Sequence, residues 1–341
     1  MEGTIKNLKS SEHSRLNREN RIKEIIKEIL DNKDTILEKD SLYTTIPNLN
    51  KFESLVKDFD KYDRRKGESE EIKKKFRDRR DQERNRIISF LLQTMRNKIE
   101  FFEYELSIAR EILKRSMPQD LSVIEGYDIQ GIYHPSRQVG GDYYDLYNTK
   151  DGNMYFLISD VSGKGLPSSL IVASMKAYII AQIQEKKSIN KLIKNLNNYF
   201  TETLTPDKFV TMFIGMLDLK NGYIKYINAG HNPPVILKNE KEIIELSKGG
   251  TVLGMFEDIS FKSGHIQLSS GDILTLYTDG VVEAFNSYEE MFSEKRLLDI
   301  IKKEHKRHLK EIIVSIFREL KEFCGCVPTQ DDITLLFIRR K

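Results

Sequence analysis

The chain has 341 residues, of which 39% are hydrophobic and 31% are charged. This is enough for one large domain with a smaller one, or for two domains. The net charge of +3 does not indicate nucleic-acid binding. The sequence has no run of about 18 apolar residues, so we predict no membrane-spanning helix. Its two cysteines, Cys324 and Cys326, are too few for a four-ligand zinc site and predict a cytoplasmic protein.

The polar region 1–66 predicts a small helical regulatory module. Two groups of apolar residues recur there at helical spacing: Ile22, Ile25, Ile26, Ile29 and Leu30, then Phe52, Leu55, Val56 and Phe59. Pro47 and several polar residues separate the two groups. No catalytic pattern is present in this region, so we expect it to receive a signal or an activator.

Residues 67–118 predict a long linker helix, because neither Pro nor Gly occurs from Glu68 to Ser116 and Pro118 ends the pattern. An apolar stripe runs along its second half: Ile87, Leu91, Met95, Ile99, Phe102, Leu106, Ala109 and Leu113. One helix cannot bury such a stripe alone, so the pattern favours a parallel coiled-coil homodimer. Packing of the helix on its own domain is the alternative.

Residues 119–341 change to short strands with two inserted helix pairs. The predicted strands are 123–132, 142–147, 154–159, 209–218, 223–229, 233–238, 242–246, 259–267, 272–277 and 332–339. The predicted helices are Leu166–Gln184, Ile189–Leu204, Lys295–Glu304 and Leu309–Phe323. This order predicts an α+β fold in which a two-sheet β-sandwich is flanked by helices.

Acidic residues lie at strand ends or in turns at four places: Asp142, Asp160, Asp279 and the pair Asp331-Asp332. A predicted hairpin places Asp142 beside Asp160 at one end of a sheet. Carboxylates without His or Cys clusters suit Mg²⁺, Mn²⁺ or Ca²⁺. Two such ions about 4 Å apart can clamp a phosphoryl group, so the pattern indicates phosphate ester hydrolysis. Ordinary turn formation by Asp is the alternative.

Eight short motifs then occur along the chain: Ala109-Arg-Glu-Ile112 with Met117-Pro118, Val139-Gly-Gly-Asp-Tyr-Tyr-Asp145, Asp160-Val-Ser-Gly-Lys-Gly165, Thr211-Met-Phe-Ile-Gly215, Asn228-Ala-Gly-His-Asn-Pro-Pro234, Leu253-Gly254, Thr278-Asp-Gly280 and Asp331-Asp-Ile-Thr334. In their content and order, residues from Ser107 to Arg339 resemble the bacterial metal-dependent protein serine/threonine phosphatases of the RsbU/SpoIIE type. These phosphatases are a branch of the type-2C (PPM) enzymes.

The resemblance implies a PPM-type αββα sandwich that holds two Mn²⁺ or Mg²⁺ ions. Asp142 and Asp160 would bridge or flank the ions, with the backbone carbonyl of Val161 as a further ligand. Asp279 and Asp331 would complete the shell of the second ion. A hydroxide that bridges the ions would attack the phosphoryl group, so Asp142, Asp160 and Asp279 are the implied catalytic residues.

The substrates implied by the resemblance are phosphoserine or phosphothreonine proteins, commonly STAS-type anti-sigma-factor antagonists. In the family, a long helix typically couples an N-terminal module to the phosphatase, often within a dimer. The helix that follows Gly165 would act as a switch that completes or disrupts the metal site.

Two positions depart from the family pattern, and a third has two interpretations. Ser162 stands where better-known type-2C enzymes carry a His, and Lys164 stands where many relatives carry one. No side chain is therefore an obvious proton donor to the leaving group, and Lys164 is interpreted as an ordinary turn residue. Arg137 lies five residues before Asp142, the spacing of a phosphate-binding Arg in type-2C enzymes, and a solvated Arg is the alternative.

Two other functions remain open from the sequence. The first is a signalling scaffold with a catalytically weak phosphatase-like domain, which the departures at Ser162 and Lys164 allow. The second is a phosphatase or phosphodiesterase that acts on a small metabolite. A helical regulatory region and a Gly-rich site suit a protein substrate better than a metabolite.

Overall fold

The computed structural model describes residues 70–118, 121 and 124–341, so the predicted module 1–66 lies outside the described residues. The chain divides into two compact units, residues 1–91 and 92–341. The boundary falls inside helix α1 (Glu70–Ser116). Every contact discussed below lies within the second unit.

Helix α1 ends two residues before Pro118, as expected, since Pro disfavours helical conformation in the residue before it. Part of the predicted apolar stripe faces solvent: the exposed fractions of Met95, Ile99 and Phe102 are 61%, 57% and 59%. The last turn packs on the domain, where Leu113 is half-buried and Met117 is buried. The prediction of a long helix is thus confirmed over its described length.

In the part of the chain that the structure describes, eleven strands form two sheets. They are β1 (Tyr127–His134), β2 (Tyr143–Asn148), β3 (Asn153–Val161), β4 (Val210–Asp218), β5 (Tyr223–Ala229), β6 (Val235–Lys238), β7 (Glu242–Glu245), β8 (Gly249–Gly250), β9 (Gly264–Gln267), β10 (Ile273–Tyr277) and β11 (Ile333–Arg340). One sheet has the order β1-β11-β10-β6-β7, and the other has β2-β3-β4-β5-β8, with β9 paired to β5.

Besides α1, the described residues include five helices: α2 (Leu166–Gln184), α3 (Ile189–Thr203), α4 (Asp279–Val282), α5 (Ser293–Glu304) and α6 (Leu309–Cys324). Strand β11 shows how the layers stack, because its alternate side chains enter two different cores. Leu336 and Ile338 join the core that contains the other sheet, α2 and α3. Leu335 and Phe337 join a second core with α5 and α6. The predicted αββα sandwich is confirmed.

Helix α2 is apolar on nearly every side. Its 19 residues, with a mean hydropathy of 1.4 over the best window, would allow it to cross a membrane by length and composition alone. However, Val172, Met175 and Ile179 are buried in the sandwich core. The helix thus buries one face in the core, whereas Leu166 and Leu170 are 44% and 64% exposed.

Candidate metal centre

The hairpin of β2 and β3 brings the first two acidic residues together. Tyr143 pairs with Ser159, so Asp142 and Asp160 extend from the same end of the hairpin. The backbone amide of Val161 donates to the carbonyl of Gly141 at 3.3 Å. A Cβ at Gly141 would lie 2.7 Å from the carbonyl oxygen of Val161, so only glycine fits this approach.

Asp142 is fixed by hydroxyl groups from the opposite sheet. Its side chain is buried, and Oδ2 accepts hydrogen bonds from Thr278 Oγ1 at 2.7 Å and Thr334 Oγ1 at 2.6 Å. The two threonines are neighbours because β10 ends where β11 begins, and the amide of Thr278 donates to the carbonyl of Thr334. Burial, and then the charge of Asp160, raise the pKa of Asp142 well above its usual range, whereas the hydroxyls oppose the rise.

The remaining acidic residues lie close to Asp160. Burial, followed by the charges of Asp279 and Asp331, raises the pKa of Asp160 to about 7. Burial and then the Asp331 charge likewise raise the pKa of Asp279, which begins helix α4. The structure therefore brings the four predicted acidic positions to one end of the sandwich, where their negative charges oppose one another.

A lysine contacts this carboxylate cluster (Asp142, Asp160, Asp279 and Asp331). Lys164 Nζ lies 2.7 Å from Asp331 Oδ2 and also donates to the carbonyl of Gln330 at 2.5 Å. The Lys164 charge lowers the pKa values of Asp160 and Asp279, against the larger opposing effect of burial. The interpretation of Lys164 as an ordinary turn residue is therefore wrong: its ammonium group is the counter-charge of Asp331.

The neighbour of Asp331 has a different role. Asp332 Oδ1 accepts from the amide and hydroxyl of Ser136 at 2.8 and 3.0 Å, and Oδ2 accepts from the amide of Gly141 at 2.9 Å. Both carboxylate oxygens are thus engaged in holding the loop before β2. Asp331 also has partners at both oxygens, the amide of Asp332 and Lys164, but its side chain is 40% exposed whereas Asp332 is buried. The exposure favours Asp331 over Asp332 as a ligand.

Two other predicted positions lie around the cluster. Arg137, on the loop held by Asp332, is exposed and forms no hydrogen bond or ion pair with any other residue that the structure describes. Its binding of phosphate stays a prediction. Ser162 Oγ accepts from the amide of Phe209 at 2.9 Å, so this hydroxyl joins its loop to the residue before β4.

His231 is a buried residue of the Asn228-Ala-Gly-His-Asn-Pro-Pro234 motif, and the sequence alone predicted no role for it. Its Nδ1 lies 2.8 Å from Thr211 Oγ1, and that hydroxyl donates weakly to the backbone carbonyl of Asp160 at 3.4 Å. Burial lowers the pKa of His231 to about 4, so the imidazole is neutral at pH 7. His231 therefore supports the backbone beneath Asp160. The Asn-Ala-Gly-His motif was the sequence signal that could have indicated it.

A chain of polar contacts connects this end of the sandwich to α1. Lys176, on α2, donates to the last carbonyl of α1, that of Ser116, and lies 3.0 Å from Asp145 Oδ2. Asp145, on β2, also accepts from the hydroxyls of Tyr143 and Tyr147. Lys176 thus joins the end of the linker helix to the strand that follows Asp142.

The donor set fits a hard divalent cation, since it consists of carboxylate and carbonyl oxygens. The side chains do not, however, point at a common position: over residues 70–118, 121 and 124–341, no three Asp, Glu, His or Cys side chains are placed to hold a metal ion together. Hydrogen bonds from Thr278 and Thr334 orient the carboxylate of Asp142, and the ion pair with Lys164 orients that of Asp331. Binding of two ions would therefore require side chains to rearrange.

Comparison with known proteins identifies the family. The model of the family described as "Stage II sporulation protein E (SpoIIE)" matches residues 150–341. Protein IcfG of Synechocystis is 26% identical over an alignment 284 residues long, which covers 75% of this chain and 44% of that protein. Phosphoserine phosphatase RsbU of Bacillus subtilis is 28% identical over 251 residues, 73% of this chain and 74% of RsbU.

A second phosphoserine phosphatase of Bacillus subtilis, RsbP, is 30% identical over 184 residues, 52% of this chain and 45% of RsbP. The chain thus spans less than half the length of IcfG and of RsbP. Among solved structures, the SiaA-PP2C domain of Pseudomonas aeruginosa superposes with a TM-score of 0.63 at 21% identity, covering 72% of this chain and 99% of that domain.

The PP2C phosphatase domain of SpoIIE from Bacillus subtilis, solved with a fragment of its regulatory domain, gives a TM-score of 0.56 at 18% identity. This superposition covers 62% of this chain and 63% of the SpoIIE chain. At these identities the superpositions support the fold alone.

Proposed function

Because the chain belongs to the SpoIIE family, we propose that it is a metal-dependent protein serine/threonine phosphatase of bacterial signalling. The observation that carries this proposal is the carboxylate cluster at one end of the sandwich, in which burial and mutual repulsion raise the pKa values of Asp142, Asp160 and Asp279. Concentrated negative charge of this kind has its natural partner in divalent cations.

Asp142, Asp160 and the carbonyl of Val161 would hold one Mn²⁺ or Mg²⁺ ion, and Asp279 and Asp331 would complete the shell of a second. When bound, such ions activate water and neutralise the charge of a phosphoryl group. The protein contributes the positions of the ligands. The Thr278 and Thr334 hydroxyls orient Asp142.

We assign phosphoserine or phosphothreonine on a partner protein as the substrate, and a STAS-type anti-sigma-factor antagonist as the partner. The names of RsbU and RsbP, both phosphoserine phosphatases, support the first assignment. The second comes from the family resemblance. Access is available from one side, through a pocket that Lys164, Asp279 and Asp331 line together with Glu283 and Phe285.

Regulation would enter through the linker helix. The exposed stripe of Met95, Ile99 and Phe102 suits pairing with a second copy of α1 in a parallel dimer. The Lys176 contacts would transmit a change in α1 to α2 and β2. If a variant that lacks residues 1–118 has the same association state and the same turnover as the full chain, this part of the proposal fails.

The enzymatic proposal is tested by phosphate release from a phosphoserine-containing STAS protein in the presence of Mn²⁺. We expect turnover that excess chelator abolishes and that Asp160→Asn removes. Asp258→Asn, which changes an exposed acid outside the cluster, serves as the matched control and should keep full activity. Turnover that persists in chelator or in Asp160→Asn would contradict the proposal.

A signalling scaffold is the second candidate, favoured by the ion pair of Lys164 with Asp331 and by the lack of convergence among the acidic groups described above. Calorimetry separates the two functions, because a scaffold of this kind would bind no Mn²⁺ at millimolar concentration. Binding with micromolar affinity would exclude it.

A further inference from the structure

The ion pair of Lys164 with Asp331 has a geometry that matters for the proposed second ion. Lys164 Nζ contacts Asp331 Oδ2 at 2.7 Å and the carbonyl of the preceding Gln330 at 2.5 Å. One ammonium group thus holds both the side chain and the backbone at the start of the Asp331-Asp332 pair. The two bonds join the loop after β3 to the loop before β11, which lies 167 residues away in the chain.

The charge of Lys164 also acts on the rest of the cluster. Its ammonium is close enough to Asp160 and Asp279 to lower their pKa values. The cluster is therefore neutralised in part by a group that belongs to the protein itself. This neutralisation removes some of the repulsion that would otherwise oppose the folded state.

A divalent ion at Asp331 would need the carboxylate that the ammonium contacts. An ammonium group and a divalent ion on the same carboxylate repel each other, and this repulsion of like charges a few ångströms apart lowers the affinity for the ion. The Lys164 side chain is long, and 34% of it is exposed, so it can turn to solvent at little cost.

We propose that Lys164 is an internal counter-cation that competes with the second metal ion for Asp331 and leaves this carboxylate when the ion binds. The inference rests on the proposed function, since it takes Asp331 as a metal ligand. It assigns to Lys164 the role of a positioning residue that sets the affinity of the second ion. The second metal ion and the Lys164 ammonium group thus compete for the same carboxylate.

Calorimetric titration of the full chain with Mn²⁺ tests the competition. In Lys164→Met, the second ion should bind about threefold to tenfold more tightly, as expected when a partly exposed ion pair and its repulsion of the ion are removed. Lys164→Arg keeps the charge and should bind as the wild type does. Lys187→Met is the matched control, since Lys187 is 31% exposed and pairs with Glu185 away from the cluster. It should also match the wild type.

A measurement on the wild-type protein does not depend on how the variants fold. An amine-directed acetylating reagent, followed by mass spectrometry of the peptides, should label Lys164 faster in saturating Mn²⁺ than in chelator. Labelling of Lys187 should not change. Unchanged affinity in a folded Lys164→Met variant, or Lys164 labelling that is the same in Mn²⁺ and chelator, would overturn the competition and leave the phosphatase intact. A wild-type protein that binds no Mn²⁺ would instead overturn the proposed function, and this inference with it.

Discussion

The two halves of the carboxylate cluster are held in different ways. Asp142 is 2% exposed, and it accepts hydrogen bonds from the hydroxyls of Thr278, just after β10, and Thr334, on β11. The side chain of Asp331 is 40% exposed, and its partner is a lysine on a loop. The first half is thus fixed by the packing of the sandwich, whereas the second half depends on a contact that a competing cation can replace.

This difference indicates where affinity for metal is set and where it can be changed. A ligand that buried hydrogen bonds hold in one position has little freedom to change, so it contributes a constant part of the affinity. A ligand held by an exposed ion pair contributes an adjustable part of the affinity, because such a pair stabilises the fold only slightly and another cation can replace it. We expect variants in the two halves to differ accordingly.

The largest effect is expected on activity, where both halves should be equally sensitive. Asp142→Asn and Asp279→Asn each remove a negative charge that the proposed ions need, and phosphate release should fall on the order of 10³-fold. Steady-state phosphate release at saturating Mn²⁺ measures this, with Asp258→Asn as the control. A loss of less than about tenfold in either variant would break the assignment of that half.

Stability should separate the halves. Thr334→Val removes a buried hydroxyl bond to Asp142 with little change of shape, so the free energy of unfolding should fall by about 1–2 kcal/mol. Asp331→Asn removes an exposed ion pair but also the repulsion between Asp331 and its acidic neighbours, so it should change the free energy of unfolding by less than about 0.5 kcal/mol. Denaturant unfolding in chelator measures both.

A control for Thr334→Val lies in the neighbouring strand. Thr275 is fully buried, and its hydroxyl has no hydrogen-bond partner among the described residues, so Thr275→Val should be neutral or stabilising. Equal destabilisation by the Thr334 and Thr275 variants would mean that the hydroxyl bond to Asp142 contributes nothing specific.

The pH dependence of stability follows from the raised pKa of Asp160. A carboxyl that holds its proton more tightly when folded adds stability at low pH, and that stability is lost as pH rises through the folded pKa of about 7. From pH 6 to pH 8 in chelator, the wild type should lose about 1 kcal/mol of unfolding free energy relative to Asp160→Asn. Parallel pH profiles for the two proteins would contradict this account of the cluster.

The smallest effect is expected where the fixed half meets the linker helix. Lys176→Met removes the bond to the Ser116 carbonyl and one of the partners of Asp145, so turnover should change about threefold to tenfold through the position of β2. Lys194→Met, on α3 and paired with exposed Asp258, is the control. Turnover equal to that of the control would mean that the contact with α1 is structural only.

Much of the fold was predictable because its signals are local. Each of the ten predicted strands overlaps an observed strand, since alternating or continuous apolar runs end at turn residues. Strand β8 was missed, because Gly249-Gly250 has no apolar pattern. It is a strand only because it lies beside β5 and pairs with it. The predicted strand 259–267 is wrong before Gly264, where the chain runs irregularly with Phe261 buried in the core.

The site was predictable only where the hairpin is local. Asp142 and Asp160 could be paired from the turn between them, whereas the Thr278 and Thr334 bonds to Asp142 depend on sheet neighbours far apart in the chain. The Lys164 contact could not be foreseen for the same reason. The domain boundaries, the role of Arg137 and the cytoplasmic location stay predictions.

The stoichiometry of Mn²⁺ binding tests the central claim most directly. Calorimetric titration of the wild type should show two ions per chain, Asp331→Asn should keep the ion of the fixed half, and Asp142→Asn should lose that ion. Two ions in Asp331→Asn, or none in the wild type at millimolar Mn²⁺, would contradict a cluster that holds one ion in its fixed half and a second in its adjustable half.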